Sequence, residues 1–304
     1  MLKDFSKVET FLVIACEGTF LKASAKLGIT PGAVTQKINF IESYLGCKII
    51  ERKKNGNHLT SKGEEFYQIA TRMEKEINAS AKDILKLINK KMTFKLGASS
   101  TIGAYVILGE CLDSMSESIN NDVNLSIDSS DTIVQKLKDR KLNVGLIESR
   151  VNGNDLICRE WLEDELILVS NVPIPKIVKT KDLYGYRWVF HEESSPASQV
   201  VSKIFEKLGV SRSSFDVIIE VIDTTAILQT IKKSKKIKDK PVVAIISKYA
   251  IIDEVAKGEL FEARLQGHTM TRKFFIVYSK EDKHNAYVDN VVNYILTGRC
   301  QVNV

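Results

Sequence analysis

No run of about 18 apolar residues occurs anywhere in the chain, and its N-terminus lacks an apolar segment followed by small residues. Those absences exclude a membrane-spanning helix and a secretory leader, so the protein is expected in the cytoplasm without a membrane partner. Cysteine is sparse: five residues, at 16, 47, 111, 158 and 300, odd in number and widely scattered. The spacing argues against a disulfide framework and against a zinc site, and the apolar contexts of Cys16 and Cys47 read as core thiols. Histidine is rarer still, with His58, His191, His268 and His284 showing neither nucleophile pairing nor metal-ligand spacing. No glycine-rich phosphate loop occurs either. The expectation is a chain with no catalytic residues, no metal and no cofactor.

What is present starts with length. The 304 residues, 44% of them hydrophobic, suffice for two domains with real cores at about 150 residues each. From Thr19 to Leu45 the sequence reads as a helix, a tight turn and a second helix. Ala23 and Leu27 share one face of the first helix, Gly28 can take the positive φ that ends it, and Thr30 with Pro31 restarts the chain as N-cap and first helical residue. Val34, Ile38, Ile41 and Leu45 recur at three and four residues and turn inward, which leaves Gly32, Thr35, Gln36, Lys37 and Asn39 outward. That outward set suits DNA: Gln and Asn can pair with adenine, Thr and Lys reach bases or phosphates, and Gly32 permits close backbone approach. An ordinary helical hairpin with a solvated polar face fits the same spacing.

The following residues separate the two readings. Ile49 to Arg52 is a short apolar strand, Lys53 to Asn57 a basic turn, and His58 to Thr60 a return strand, which together make a winged helix-turn-helix. Charge agrees. Residues 1–92 hold 16 Lys and Arg against 10 Asp and Glu, and the remainder holds 28 of each, so the whole excess of +6 lies at the N-terminal end.

With these residues in place, the N-terminal 90 residues resemble the LysR-type transcriptional regulators. The resemblance is carried by Phe11, Gly18-Thr19-Phe20, Ala23, Leu27, Ile29-Thr30, Ala33-Val34-Thr35, Ile38, Ile41-Glu42, Leu45-Gly46, Arg52, Leu59-Thr60 and Gly63. The family usually has Ser-Gln-Pro-Ala before its recognition helix, whereas Thr30-Pro31-Gly32-Ala33 moves the proline one place earlier. The expected DNA contacts are therefore Thr30, Gly32, Thr35, Gln36 and Lys37, with Lys53 and Lys54 on the wing. The resemblance adds Arg52 as a minor-groove or phosphate contact.

Residues 1–60 then form the winged helix-turn-helix domain and 61–90 a linker helix. From Ser61 to about Asn89 there is no proline, and Phe66, Ala70, Met73, Ile77, Ile84 and Leu87 stand near heptad spacing. Such a stripe needs a partner, either a second copy of the chain or the chain's own second domain. The resemblance implies the former: a homodimer or homotetramer on a partly palindromic site in double-stranded promoter DNA, with RNA polymerase as a further partner.

Residues 91–304 alternate strands and helices, which implies an α/β domain with a mainly parallel sheet. The expected elements include a strand at 94–98, a helix at 101–116, strands at 123–128 and 144–147, and a strand at 165–170. The resemblance continues through Leu96 to Gly103, Asn143 to Glu148 and Asp164 to Val169. It implies two lobes like those of type 2 periplasmic binding proteins, lobe I at about 91–161 and 268–304, lobe II at about 162–267, with a small-molecule effector between them. Ser99, Ser100 and Thr101 close a strand and open a helix, as do Ser195 and Thr224 in the opposite lobe. Their hydroxyls suit an anion or organic acid, although helix capping uses the same residues. Glu148, past a buried strand, suits a ligand amine or hydroxyl. The lysine-rich run 232–240 reads as a solvated loop or a second partner contact.

The function expected is sequence-specific DNA binding by a transcriptional regulator whose promoter contacts respond to an effector in the C-terminal domain. An α/β catalytic domain fused to a DNA-binding module is the alternative, and it lacks any constellation of reactive residues. A solute-binding protein would need the missing secretory leader.

Overall fold

The computed structural model describes residues 4–53, 56–88, 93–151, 153, 155–235 and 239–296. The chain divides into two compact units, Met1–Lys91 with Ser118–Asn120, and Met92–Glu117 with Asn121–Val304. Among the described residues, no helix is long and apolar enough to cross a membrane.

In the first unit α1 (Phe5–Glu17), α2 (Phe20–Leu27) and α3 (Pro31–Leu45) precede a hairpin of β1 (Ile50–Lys53) and β2 (Gly56–Leu59), then the long α4 (Ser61–Ile88). Local chemistry sets each boundary. The Thr19 and Thr30 hydroxyls accept from Lys22 N and Ala33 N, each at 3.2 Å, while Gly28 ends α2 at φ 66°. Val8, Phe11, Ile14, Ala23, Val34, Ile38, Ile41, Ile49, Phe66 and Ala70 form one core. Glu42 joins helix to hairpin: its buried carboxylate accepts from Ile49 N at 3.1 Å and pairs with Lys48 at 2.5 Å.

α4 divides its apolar stripe. Phe66 and Ala70 are buried in the first unit's own core and Met73 packs against it, whereas Ile77 and Ile84 are 40% and 56% exposed. Leu87 has no described side chain. A helix of this length extends about 42 Å, so its far half lies beyond the reach of that core.

The second unit is built on one sheet. Its elements are β3 (Phe94–Ala98), α5 (Ser100–Tyr105), α6 (Glu110–Ile119), β4 (Val123–Ile127), α7 (Ser130–Lys138), β5 (Val144–Ile147), β6 (Leu156–Ser170), β7 (Ile177–Val178), β8 (Arg187–His191), α8 (Pro196–Lys207), β9 (Asp216–Val221), α9 (Thr224–Lys233), β10 (Val242–Ser247), α10 (Ile252–Ala256), β11 (Phe261–Leu265), β12 (Met270–Ser279) and α11 (Ala286–Leu296). The main path runs β4-β3-β5-β12-β6-β10-β8-β9. β3 is parallel to β4 and β5, and β8 is parallel to β9 and β10, which gives two parallel lobes. Antiparallel β6 and β12 join them. In lobe II, Trp188 stacks on Phe190 at 5.0 Å between centroids, and Phe205 and Phe215 close around both.

Several expectations change. The helix foreseen at 101–116 is two helices, because Gly109 turns the chain at φ 70°. The strand foreseen at 165–170 is the end of the 15-residue β6, whose first half, Leu156 to Glu163, mixes apolar and charged residues and is paired by β12. Cys16 is exposed, since α1 turns Val8, Phe11, Leu12 and Ile14 inward, and Cys47 is half-buried; neither is a core thiol. Cys111 is disulfide-bonded. The scattered spacing argued against a disulfide framework, and Cys16, Cys47 and Cys158 are free.

Gly63 makes the first unit's closest approach. A Cβ there would stand 2.1 Å from the Ile49 carbonyl oxygen, a backbone atom that Thr60 N also holds. Gly63→Ala is expected to destabilise by about 1–3 kcal/mol in urea denaturation. Gly185→Ala, where a Cβ meets nothing within 4 Å, should stay within about 0.5 kcal/mol of the parent.

Candidate nucleic-acid interface and effector site

The capped turn between α2 and α3 exposes Pro31, Gly32, Gln36 and Asn39 along the start of α3. Thr30 spends its hydroxyl on the cap, and the half-buried Thr35 donates to Pro31 O at 3.0 Å. Lys37 reaches back to α1, where Nζ donates to Ser6 O at 3.4 Å. Of the four expected contacts in α3, Gly32 and Gln36 therefore stand freest. Arg52 and Lys53 pair with Asn57 and Gly56 in the hairpin, next to its turn. Lys54 lies outside the described residues.

In the second unit a charged cluster is buried where both lobes meet the joining strands. Arg272 on β12 stands opposite Asp164 on β6 in the ladder, and its Nε donates to Asp164 at 2.8 Å. Nη1 donates to Glu148, which follows β5, and Nη2 to Thr101 at 3.5 Å. Ser247, at the end of β10, donates to the other Asp164 oxygen at 2.7 Å. Thr101 and Thr224 share a 3.2 Å hydrogen bond between the start of α5 and the start of α9, and Tyr105 donates to Thr225 at 3.0 Å. These contacts tie lobe I to lobe II.

Electrostatics follow from burial. Desolvation pushes the Glu148 carboxyl up, but Arg272 and the Ser99 and Thr101 hydroxyls outweigh it, so its pKa lies below the usual value. Asp164 goes the other way: burial raises it further than Arg272 and Ser247 bring it down. Arg272 loses solvation, yet its two carboxylates more than restore its charge. His191 is buried with Nδ1 unpartnered, and burial, then Arg272, lower its pKa to about 4.

Four residues foreseen for the effector meet here: Ser99, Thr101, Glu148 and Thr224. Ser99 Oγ is buried and lies close enough to Glu148 to help stabilise its charge. Ser100 is half-buried and borders the group. Ser195 does not join, because its hydroxyl caps α8 by accepting from Ser198 N at 3.1 Å. Sequence reasoning missed Arg272, Asp164, Ser247 and His191. The signal for Arg272 was parity, since it shares the inward face of β12 with the buried Met270 and Phe274. In the lysine-rich run, Lys232 pairs with Glu254 at 3.3 Å and Glu259 at 2.9 Å, a local role, and residues 236–238 lie outside the described set.

His191 gives a pH prediction. The unfolded chain takes up a proton near pH 6.5 while the folded chain resists until about 4, so this stability is complete above 6.5 and drains away as pH falls toward 4. Unfolding free energies from urea titrations should fall between pH 6.5 and 5 with a slope approaching about 1.4 kcal/mol per pH unit from this group. In His191→Gln that contribution to the slope should vanish.

Comparison with known proteins identifies both units. Residues 5–64 match the family described as bacterial regulatory helix-turn-helix protein, lysR family, and residues 89–299 match the LysR substrate binding domain. A probable RuBisCO transcriptional regulator of Thalassiosira pseudonana is 26% identical over 232 residues, 73% of this chain and 75% of that one. The HTH-type transcriptional regulator CysL of Bacillus subtilis is 22% identical over 286 residues, 90% of this chain and 91% of that one. The crystal structure of CbnR, a LysR family transcriptional regulator, superposes with TM-score 0.54 at 19% identity, covering 96% of this chain and 99% of that one. Vibrio fischeri DarR, crystallised with DNA, superposes with TM-score 0.53 at 17% identity, covering 97% and 99%. The chain belongs to the LysR family: it is a DNA-binding transcriptional regulator with an effector-binding domain, and not an enzyme.

Proposed function

We propose that the protein acts in the cytoplasm as a homodimer, or a dimer of dimers, on a partly palindromic promoter site. In this reading residues 1–60 read DNA, 61–90 pair the subunits and 91–304 sense the effector in the cleft between lobes. Gln36 reads a base edge, Gly32 brings the backbone to a phosphate, and Thr30 and Thr35 border the contact. Arg52, Lys53 and Lys54 bring the wing's charge to the backbone or minor groove. Lys37 supports the helix from behind.

One observation carries the effector reading. Thr101, Thr224, Glu148, Asp164 and Arg272 form a single hydrogen-bonded group drawn from both lobes and both joining strands. A ligand that exchanges those bonds alters the lobes' relation, and with it the spacing of the two reading heads and their contact with RNA polymerase. Charge balance shapes the ligand. Two carboxylates face one guanidinium, so an organic acid reaches Arg272 only by displacing one of them. A ligand offering an ammonium or hydroxyl donor to Glu148 avoids that conflict, and this class replaces the anion expected from the hydroxyl turns alone.

Sequencing of duplexes selected by the purified protein should recover an interrupted palindrome, and genomic capture would point through neighbouring genes to the effector. Gln36→Ala is expected to cost about 1–3 kcal/mol at one base position, whereas Lys53→Ala should weaken all sequences alike and reduce the salt slope. No change in either variant would sink the assignment of the interface. Replacing Ile77 and Ile84 together by Asp should convert a dimer to monomers in light scattering while circular dichroism stays unchanged. A variant that remains dimeric would place subunit pairing elsewhere.

A further inference from the structure

Lobe I carries a second recess, away from the Arg272 cluster. β3 and β4 pair so that Lys95 stands beside Asn124, with Ser126 two residues along on the same face. Lys136 on α7, Lys141 just beyond that helix and Leu142 complete a surface pocket of about 240 Å³. Lys95 lies four residues before Ser99, which is roughly 13 Å along the strand. The two sites are therefore separate.

The lining is dominated by donors. Three ammonium groups and the Asn124 amide surround Ser126, whose Oγ is buried without a hydrogen-bond partner, and no carboxylate lines the pocket. Two acids balance the lysines from outside: Asp128 holds Lys136 at 2.6 Å, and Asp139 holds Lys141 at 3.2 Å. Among the described residues Lys95 has no ion pair, so one positive charge is uncompensated. Ammonium groups accept nothing, and an acceptor-rich group of negative charge is the chemistry that satisfies them together with the Ser126 hydroxyl. Leu142 adds an apolar contact.

We propose that this pocket is a second ligand site, taking phosphate or the phosphate group of a small metabolite, and that it gives the regulator an input independent of the cleft. The phosphate oxygens accept from Lys95, Lys141, Asn124 and Ser126, while Lys136 keeps its bond to Asp128 and contributes charge.

The test is thermal unfolding of the full-length protein with inorganic phosphate, ionic strength being held constant with sodium chloride. A saturable rise in Tm is expected, as for any ligand that binds only the folded state. Replacing Lys95 and Lys141 together by Ala should weaken the apparent affinity about tenfold or more, a loss of about 1.4 kcal/mol or greater. Lys95→Arg should retain it, and Ser126→Ala, which leaves every charge in place, should weaken it in the same direction. Tighter saturation by glycerol phosphate than by phosphate would assign the site to an ester, and the reverse to the free ion. A rise that never saturates, or an equal response in the double variant, overturns the proposal. So does a loss of promoter affinity in that variant, which would assign these lysines to DNA phosphates instead.

Discussion

Burying a guanidinium is tolerable only when its hydrogen bonds and charge are both met, and the second unit is organised around doing so for Arg272. Asp164 faces it across the β6–β12 ladder, Glu148 comes from the end of β5, and Thr101 from the start of α5. A one-residue slip of β12 would turn Arg272 to the opposite face and bring in Thr271 or Lys273. The ion group therefore fixes the register of the strands that join the lobes, at the level where a ligand between lobes would act.

The first unit meets a different constraint. Its core is small, and it enlists Phe66 and Ala70 from the start of α4, with the Phe11 and Phe66 rings 4.9 Å apart. Glu42 and Gly63 then lock the hairpin between α3 and α4. The wing is thereby held relative to the recognition helix by packing rather than by its own two short strands, which alone would be marginal. The exposed Ile77 and Ile84 are left over from this division of α4. The helix thus serves one domain at its start and offers an apolar surface further along.

Much of the DNA-reading end was legible because its causes are local. A threonine cap, a proline at the first helical turn, a glycine at positive φ and an apolar repeat act within a few residues of each other. The strands of the α/β unit were legible for the same reason where they are apolar, as in Phe94–Ala98 and Val144–Ile147. Legibility failed where pairing overrides composition. The first half of β6, where Arg159, Glu160 and Glu163 interrupt the apolar residues, is held as a strand by β12 beside it, and α5 ends before α6 because Gly109 turns the chain. Ser195 shows the ambiguity of a hydroxyl before a helix, since capping and ligand contact use the same residue types and here the hydroxyl caps α8.

The sequence by itself determined the helix-turn-helix and the exposure of Gly32, Gln36 and Asn39 on its second helix, the concentration of positive charge at one end, and the α/β character of the rest. These depend on period, capping and composition, which any stretch of chain carries with it. Only the tertiary structure decided which hydroxyls and carboxylates share a site. Glu148 and Arg272 are 124 residues apart, and Thr101 and Thr224 are 123 apart. Nothing local in either pair records the other, since the closeness is set by strand order and register. Tertiary structure also decided the charge of that site, because a carboxylate read singly suggests a cation partner, and only the fold reveals that Arg272 already stands there.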